Sequence, residues 1–308
     1  MKVAVTGGTG FVGSRLVEQL EGTGIETVLL TRNAQKARSQ FPADVYKNVS
    51  IIEYDSLQSG DWQAQISGCD AVVNLAGEPI SGSRWTPERK TLLMDSRVVT
   101  TTKLVQAIAM APVRPKVFIS TSAIGFYGTS ETGTFDESSA AGSDYLAEIC
   151  TKWEAAAMDV KATGARLVIL RFGIVLGMGG AIGKMLPPFK LFAGGPIGTG
   201  KQWFSWIHQD DVVALIMQAL TQESMEGVYN ATAPNPVTMN ELCSEMGKTL
   251  GRPSWLPVPA FVLETMLGEG ASLVLEGQKV LPKRSIESGF KFGYASVSEA
   301  LKQVLAGS

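Results

Sequence analysis

What this chain has little of narrows its class before any motif is read. It has one histidine and three cysteines, Cys69, Cys150 and Cys243, which stand far apart and form neither a Cys-x-x-Cys pair nor a metal-ligand spacing. No metal site is expected, and the thiols read as reduced, in a cytoplasmic compartment. Basic residues are not in excess: 27 Lys and Arg stand against 29 Asp and Glu, for a net charge of −2. That balance leaves no field to hold nucleic acid or an anionic membrane. The longest apolar stretches, 166–183 and 258–275, are broken by Arg171 and Glu264. Neither reaches the roughly 20 residues that a membrane span needs. The first residues already read as a strand, so no signal peptide is expected. The chain shows no internal repeat and no low-complexity tract.

What is present starts at residue 6. Thr6-Gly-Gly-Thr-Gly-Phe-Val-Gly13 places glycines at 7, 10 and 13, after the apolar run Lys2-Val-Ala-Val5 and before helical spacing at 12, 16, 17 and 20. A glycine turn alone would be only a turn. Between a strand and a helix it reads as a dinucleotide-binding turn. Gly7 allows the tight exit from the strand, Gly10 lets the backbone approach a pyrophosphate, and Gly13 lets helix and strand pack closely. The helix N-terminus then offers free N–H groups to the phosphates.

Strand-like segments at 26–31, 49–54, 70–77, 116–120 and 166–171 follow, with a long helix from Pro87 to Ala111. Such alternation predicts an α/β fold with a doubly wound parallel sheet of the Rossmann kind. Ligands on these sheets sit beyond the carboxyl ends of the strands. After residue 176 glycine and proline crowd 177–200, and a capped helix begins at Thr238 with Glu241 three residues on. The expected division is a dinucleotide-binding domain over 1–176 and a smaller C-terminal α/β substrate region over 177–308.

The glycine turn, Asn74-Leu-Ala-Gly77 and Ser120-Thr-Ser122 with Tyr127-Gly128 together resemble the extended short-chain dehydrogenase/reductases. Three further blocks resemble an atypical branch labelled nucleotide-diphosphate-sugar epimerase-like. They are Leu75-Ala-Gly-Glu-Pro-Ile80 with Arg84-Trp-Thr86, Trp203-Phe-Ser-Trp-Ile-His-Gln-Asp-Asp211, and Val280-Leu-Pro-Lys-Arg284 with Gly289-Phe290. The match spans nearly the whole chain. Members of this branch have been linked by name to cell or plastid division, and their substrates are unassigned.

The resemblance implies a cofactor site built from Gly7, Thr9, Gly10, Phe11, Val12, Gly13, Thr31, Arg32, Asp55, Leu75, Ala76 and Gly77. The second strand ends Thr31-Arg32-Asn33, with a guanidinium where an NAD-preferring site carries a carboxylate. That suits the 2′-phosphate of NADP(H), although Arg32 also fits a solvated surface charge. In the family, the position of Asp55 hydrogen-bonds adenine; a plain turn residue is the other reading.

The family's working pair is a Tyr and a Lys four apart on one helix face. No Tyr-x-x-x-Lys occurs in this chain. Over the expected helix 143–163, Trp153-Glu154 sets a register that puts Leu146 in the Tyr position and Cys150 in the Lys position. Arg97 stands where many relatives have an Asn. Three candidates for moving a proton remain: Ser122 at the end of the fifth strand, Glu78 after the fourth, near the expected nicotinamide, and Tyr127. Arg84, Lys201, Trp203 and His208 are candidate substrate residues. His208 also fits a packed structural role, and Trp203 a core aromatic cluster. Gly195-Pro-Ile-Gly-Thr-Gly-Lys201-Gln202 nearly spells a phosphate loop, but Gln202 stands where a hydroxyl must hold Mg²⁺. Two functions stay open: an NADP(H)-dependent oxidoreductase or epimerase-like enzyme acting on a small molecule, and a binding or regulatory protein that has lost catalysis. A homodimer stays open as the assembly.

Overall fold

The computed structural model describes residues 1–81 and 83–306. The first half runs β1 (Lys2–Thr6), α1 (Phe11–Gly22), β2 (Glu26–Thr31), α2 (Ala34–Gln40), β3 (Val49–Glu53), β4 (Ala71–Asn74), α3 (Pro87–Met110), β5 (Val117–Ala123), β6 (Thr134–Phe135), α4 (Tyr145–Met158) and β7 (Arg166–Phe172). Then come β8 (Ile174–Leu176), α5 (Ala181–Lys190), β9 (Trp203–Phe204), β10 (Trp206–His208), α6 (Gln209–Thr221), β11 (Gly227–Ala231), β12 (Val237–Thr238) and α7 (Met239–Leu250). The chain closes with α8 (Ala260–Leu267), α9 (Ser272–Leu275), β13 (Lys279–Val280), α10 (Lys283–Glu287) and α11 (Val297–Leu305). The expected strands and the long helix are all found, to within a few residues at their ends.

Seven strands form one sheet in the order β11-β7-β5-β4-β1-β2-β3, every neighbour parallel. Alternate residues serve opposite faces, because strand side chains alternate. Val3, Val5, Val73 and Ile119 face Leu16 and Leu20 of α1 and Val212 and Ile216 of α6. Ala4, Val72 and Phe118 face Leu104 and Ile108 of α3 and Ala157 of α4. Both faces are thus covered, as a parallel sheet requires.

The expected division at residue 176 does not coincide with the edge of this sheet. α6 and β11 lie beyond it in sequence yet complete the sheet layer, β11 pairing with β7 from Gly227↔Val168 to Ala231↔Phe172. The reason is burial: without α6, the α1 face of the central strands would lie open. The remaining C-terminal elements build their own core from Phe189, Trp206, Leu242, Met246, Leu301 and Val304. The Thr238–Glu241 capping box forms as expected and starts α7. From this region the segment around α9 leans on the start of α3, where Lys90 pairs with Glu269 and Leu273 packs near Trp85. No helix among the described residues is long and apolar enough to cross a membrane.

Candidate cofactor and substrate site

The strand order reverses between β1 and β4, so the crevice lies beyond the carboxyl ends of those strands. The glycine turn lines it. Gly7 has φ +70°, and a Cβ there would stand 2.5 Å from the Leu75 carbonyl oxygen. A Cβ on Gly13 would stand 2.2 Å from the Gly7 oxygen. These two glycines are demanded by the protein's own backbone. Gly10 is exposed, and its Cβ would meet only the Gly7 oxygen, at 3.1 Å. Its bareness leaves room for a ligand. Gly10 also caps α1 with no side-chain acceptor, so the first N–H groups of that helix remain available. Thr9 is half-buried beside it, and Val12 packs on the sheet core. The Phe11 ring turns the other way and fills the space left by Gly177, Gly179 and Gly180, while Gln209 Nε2 donates to its carbonyl at 2.6 Å.

Beneath the turn, polar side chains tie three strands to two helices. Thr6 Oγ1 donates to Asn74 Oδ1 at 2.8 Å, Asn74 Nδ2 to Thr101 Oγ1 at 2.9 Å, and Trp153 Nε1 to the same hydroxyl at 2.9 Å. Thr121 Oγ1 donates to the Asn74 carbonyl at 2.9 Å. All are buried, and their mutual bonds keep the crevice floor rigid.

At the β2 side, Thr31 is buried and Arg32 projects into solvent. Arg32 Nη1 meets Glu78 Oε1 at 2.7 Å, and Arg89 Nη1 stands 3.6 Å from Glu78 Oε2. Bonded to Arg32, the Glu78 carboxyl is held below its usual pKa. Leu75, Ala76 and Gly77 carry the chain from β4 to Glu78, with the Ala76 N–H donating to Asn74 Oδ1 at 3.3 Å. Glu78, expected near the nicotinamide, therefore has its carboxylate on the Arg32 side of the crevice. Arg89, which the sequence did not single out, joins it there, from the first turn of α3. Asp55 is exposed, and its Oδ1 accepts from the Leu57 N–H at 2.9 Å.

At the β5 side, Ser122 Oγ donates to Glu154 Oε1 at 2.6 Å. Arg171 grips that carboxylate from Nε and Nη2, both at 2.8 Å. Its Nη1 donates to the Tyr127 hydroxyl at 2.9 Å, which in turn donates to Asn230 Oδ1 at 2.7 Å. Tyr127 is 3 % exposed and packs on Phe126 and Phe135, and burial raises its pKa. The structure thus brings Ser122 and Tyr127 into one buried network and leaves Glu78 outside it. On α4, Leu146 packs with Trp85, Leu93, Ile149 and Leu273. Cys150 lies with Sγ 3.7 Å from the Ala123 carbonyl, and burial pushes its thiol up to about 11. Tyr145 bonds the Lys90 carbonyl at 2.7 Å.

The four candidate substrate residues each meet different neighbours. Arg84 is exposed beside Gly268, and Lys201 is exposed. Trp203 Nε1 donates to the Glu131 carbonyl at 2.9 Å under Lys279. His208 is 2 % exposed; its Nδ1 accepts from the Asp210 N–H at 3.1 Å, capping α6, and its Nε2 lies 2.8 Å from Gln303 Oε1. These bonds assign the proton to Nε2. No group of metal-ligating side chains occurs among the described residues.

Known proteins share this architecture. Residues 3–232 match the model of the NAD dependent epimerase/dehydratase family, and residues 258–304 a domain of unknown function, DUF1731. The chain is 50% identical over 308 residues to the chloroplastic epimerase family protein SDR39U1 homolog of Arabidopsis thaliana, covering 99% of this chain and 87% of the relative. It is 39% identical to the epimerase family protein YfhF of Bacillus subtilis, over 99% of this chain and 98% of that one. The crystal structure of the human epimerase family protein SDR39U1 with NADPH superposes with a TM-score of 0.89 at 36% identity, covering all of both chains. With matches of this extent behind it, the chain belongs to the NAD dependent epimerase/dehydratase family.

Proposed function

We propose that this protein binds NADP(H) and uses it as an oxidoreductase or epimerase-like enzyme on a small molecule, without a Tyr–Lys relay. The observation that carries the cofactor is Arg32: a guanidinium stands at the end of β2, where an NAD site has a carboxylate. The open face of Gly10 and the uncapped start of α1 fit a pyrophosphate. Asp55, beyond β3, is offered to the adenine, and Leu75-Ala-Gly77 to the ribose edge. The related human protein, solved with NADPH, supports the same choice.

Bound NADP(H) supplies or accepts a hydride. The chain itself must move the proton. Ser122 is the hydroxyl at the end of β5, and its proton already points at Glu154 Oε1. In the oxidising direction Ser122 Oγ takes the proton of a substrate hydroxyl while its own passes to Glu154. Arg171 holds Glu154 in place for that exchange. Tyr127 steadies Arg171 from behind, Glu78 serves the cofactor side, Lys201, Trp203 and His208 stand as residues of the substrate region, and Arg84 meets that region beside Gly268. A general acid–base group contributes about 10²–10⁴-fold, so Ser122→Ala lowers turnover by that factor while NADP(H) affinity holds.

A specific observation favours a second reading, a nucleotide-binding regulatory protein without turnover, for example in cell division. Each candidate proton donor is already bonded inside the protein: Ser122 to Glu154, Tyr127 to Asn230, Glu78 to Arg32. The experiment is to identify the nucleotide that survives purification, then offer carbonyl and sugar-nucleotide substrates and follow the reduced nicotinamide. Turnover supports the enzyme; tight NADP(H) binding with no turnover on any substrate gives the regulatory reading. Three buried free thiols fit the cytoplasmic setting, and the chloroplastic relative offers a plastid as the alternative compartment.

A further inference from the structure

Arg97 is an inward-facing cation that the reading above leaves without a task. It sits in the middle of α3, and its side chain runs to the turn after β4. Nη2 donates to the Glu78 carbonyl at 2.9 Å, and Nη1 donates to the Leu93 carbonyl at 3.0 Å and approaches Ser96 Oγ at 3.4 Å. The Trp153 ring of α4 lies 5.4 Å from Cζ. A Cβ on Gly77 would come within 3.3 Å of Cζ, so the bare glycine makes room for the guanidinium.

Two features bear on what this arginine can do. Arg171, which is buried, is gripped by a carboxylate at two points. Arg97 has no carboxylate within ion-pair distance among the described residues; its acceptors are two carbonyls and a hydroxyl. Its bonds all run from Nη1 and Nη2, and its Nε–H makes no hydrogen bond among the described residues. A desolvated cation left unneutralised is costly, and burial lowers the pKa of this one. Its neighbours fix the place. The Cys150 thiol and the Tyr145 phenol, both on α4, lie near enough to act on its charge, as do Glu78 and Arg89.

The crevice has two ends. Arg32 and Asp55, beyond β2 and β3, mark the adenosine end, and the glycine turn marks the pyrophosphate. The other end, over β4 and β5, is bounded by Gly77, Ser122 and Cys150, and Arg97 reaches it from α3. We propose that Arg97 is the cation of the nicotinamide half of the site, donating from Nε and Nη2 to the hydroxyls of the nicotinamide ribose. It would supply from α3 the positive charge that a neutral Cys150 cannot supply from α4. This rests on the NADP(H) reading above.

The test separates the two halves of the ligand. NADPH and 2′,5′-ADP, which is the adenosine half alone, are titrated against the native protein, Arg97→Met and Arg97→Lys, with thermal unfolding of each. A charge-assisted hydrogen bond is worth about tenfold or more in affinity. The expected result is that Arg97→Met weakens NADPH by about tenfold and leaves 2′,5′-ADP unchanged, and that Arg97→Lys restores most of the loss. Unchanged NADPH affinity in Arg97→Met overturns the proposal. So does an equal loss for both ligands, which would make Arg97 a brace for the Gly77–Glu78 turn and nothing more. A native protein that binds neither ligand refutes the cofactor reading itself, a failure distinct from the other two.

Discussion

The Ser122 hydroxyl donates to Glu154 Oε1 at 2.6 Å, across the join between β5 and α4. Behind that bond Arg171 closes a two-point pair with the same carboxylate, and both side chains are at most 10 % exposed. A buried pair adds little net stability, but removing one partner strands a buried charge. Arg171→Met should therefore cost about 3–5 kcal/mol in urea unfolding. The double variant Arg171→Met/Glu154→Gln should recover much of that loss. A loss below about 1 kcal/mol in the single variant would mean that the pair is solvated and its network loose.

The glycines of the turn should separate by experiment. Gly10→Val should fold and lose NADP(H) binding, because its side chain meets the ligand's space and little protein. Gly13→Ala should fail to fold natively, because its Cβ would stand 2.2 Å from a backbone oxygen. Circular dichroism and nucleotide titration read the two effects. Native affinity in Gly10→Val would place the nucleotide elsewhere.

His208 offers a sharp distinction between structure and function. It caps α6 and is bonded on both ring nitrogens. His208→Ala should lower stability by about 1 kcal/mol or more, from the lost cap and the cavity. NADPH affinity should hold, since none of its bonds reaches the glycine turn. A change in affinity with unchanged stability would restore His208 as a ligand-contacting residue.

The thiols should be silent in the native state. Burial pushes Cys150 up to about 11 and Cys243 up to about 12, and it raises Cys69 as well. At about pH 8 each is therefore a thiol rather than the reactive thiolate. Iodoacetamide should label none of them until denaturant is added. Rapid native labelling of Cys150 would show an open path to the α4 face and a thiolate within reach of substrate.

Much of the fold was legible because its signals are local. Lys2–Val5 with the glycine turn, the six expected strands and the Thr238–Glu241 cap each follow from short-range spacing. The membership of β11 in the main sheet was not legible, since pairing with β7 is a tertiary choice. A change in composition suggests a division at 176, but composition does not say which face a later helix must cover. At the site, Arg32 and the missing Tyr-x-x-x-Lys could be read directly. The partners of those residues could not: Glu78 turns to Arg32 rather than along β4, and Arg89 joins it, because helix α3 swings that residue back over the turn. The one clue to Arg97 was its presence in a position where relatives carry Asn.

The most direct test of the account is a paired titration of NADPH and NADH against the native protein and Arg32→Asp. A charge-assisted contact to the 2′-phosphate contributes about 1.5–3 kcal/mol. The native protein should then prefer NADPH by at least about tenfold, and Arg32→Asp should reverse the preference. Equal affinity for the two nucleotides in the native protein would contradict the account.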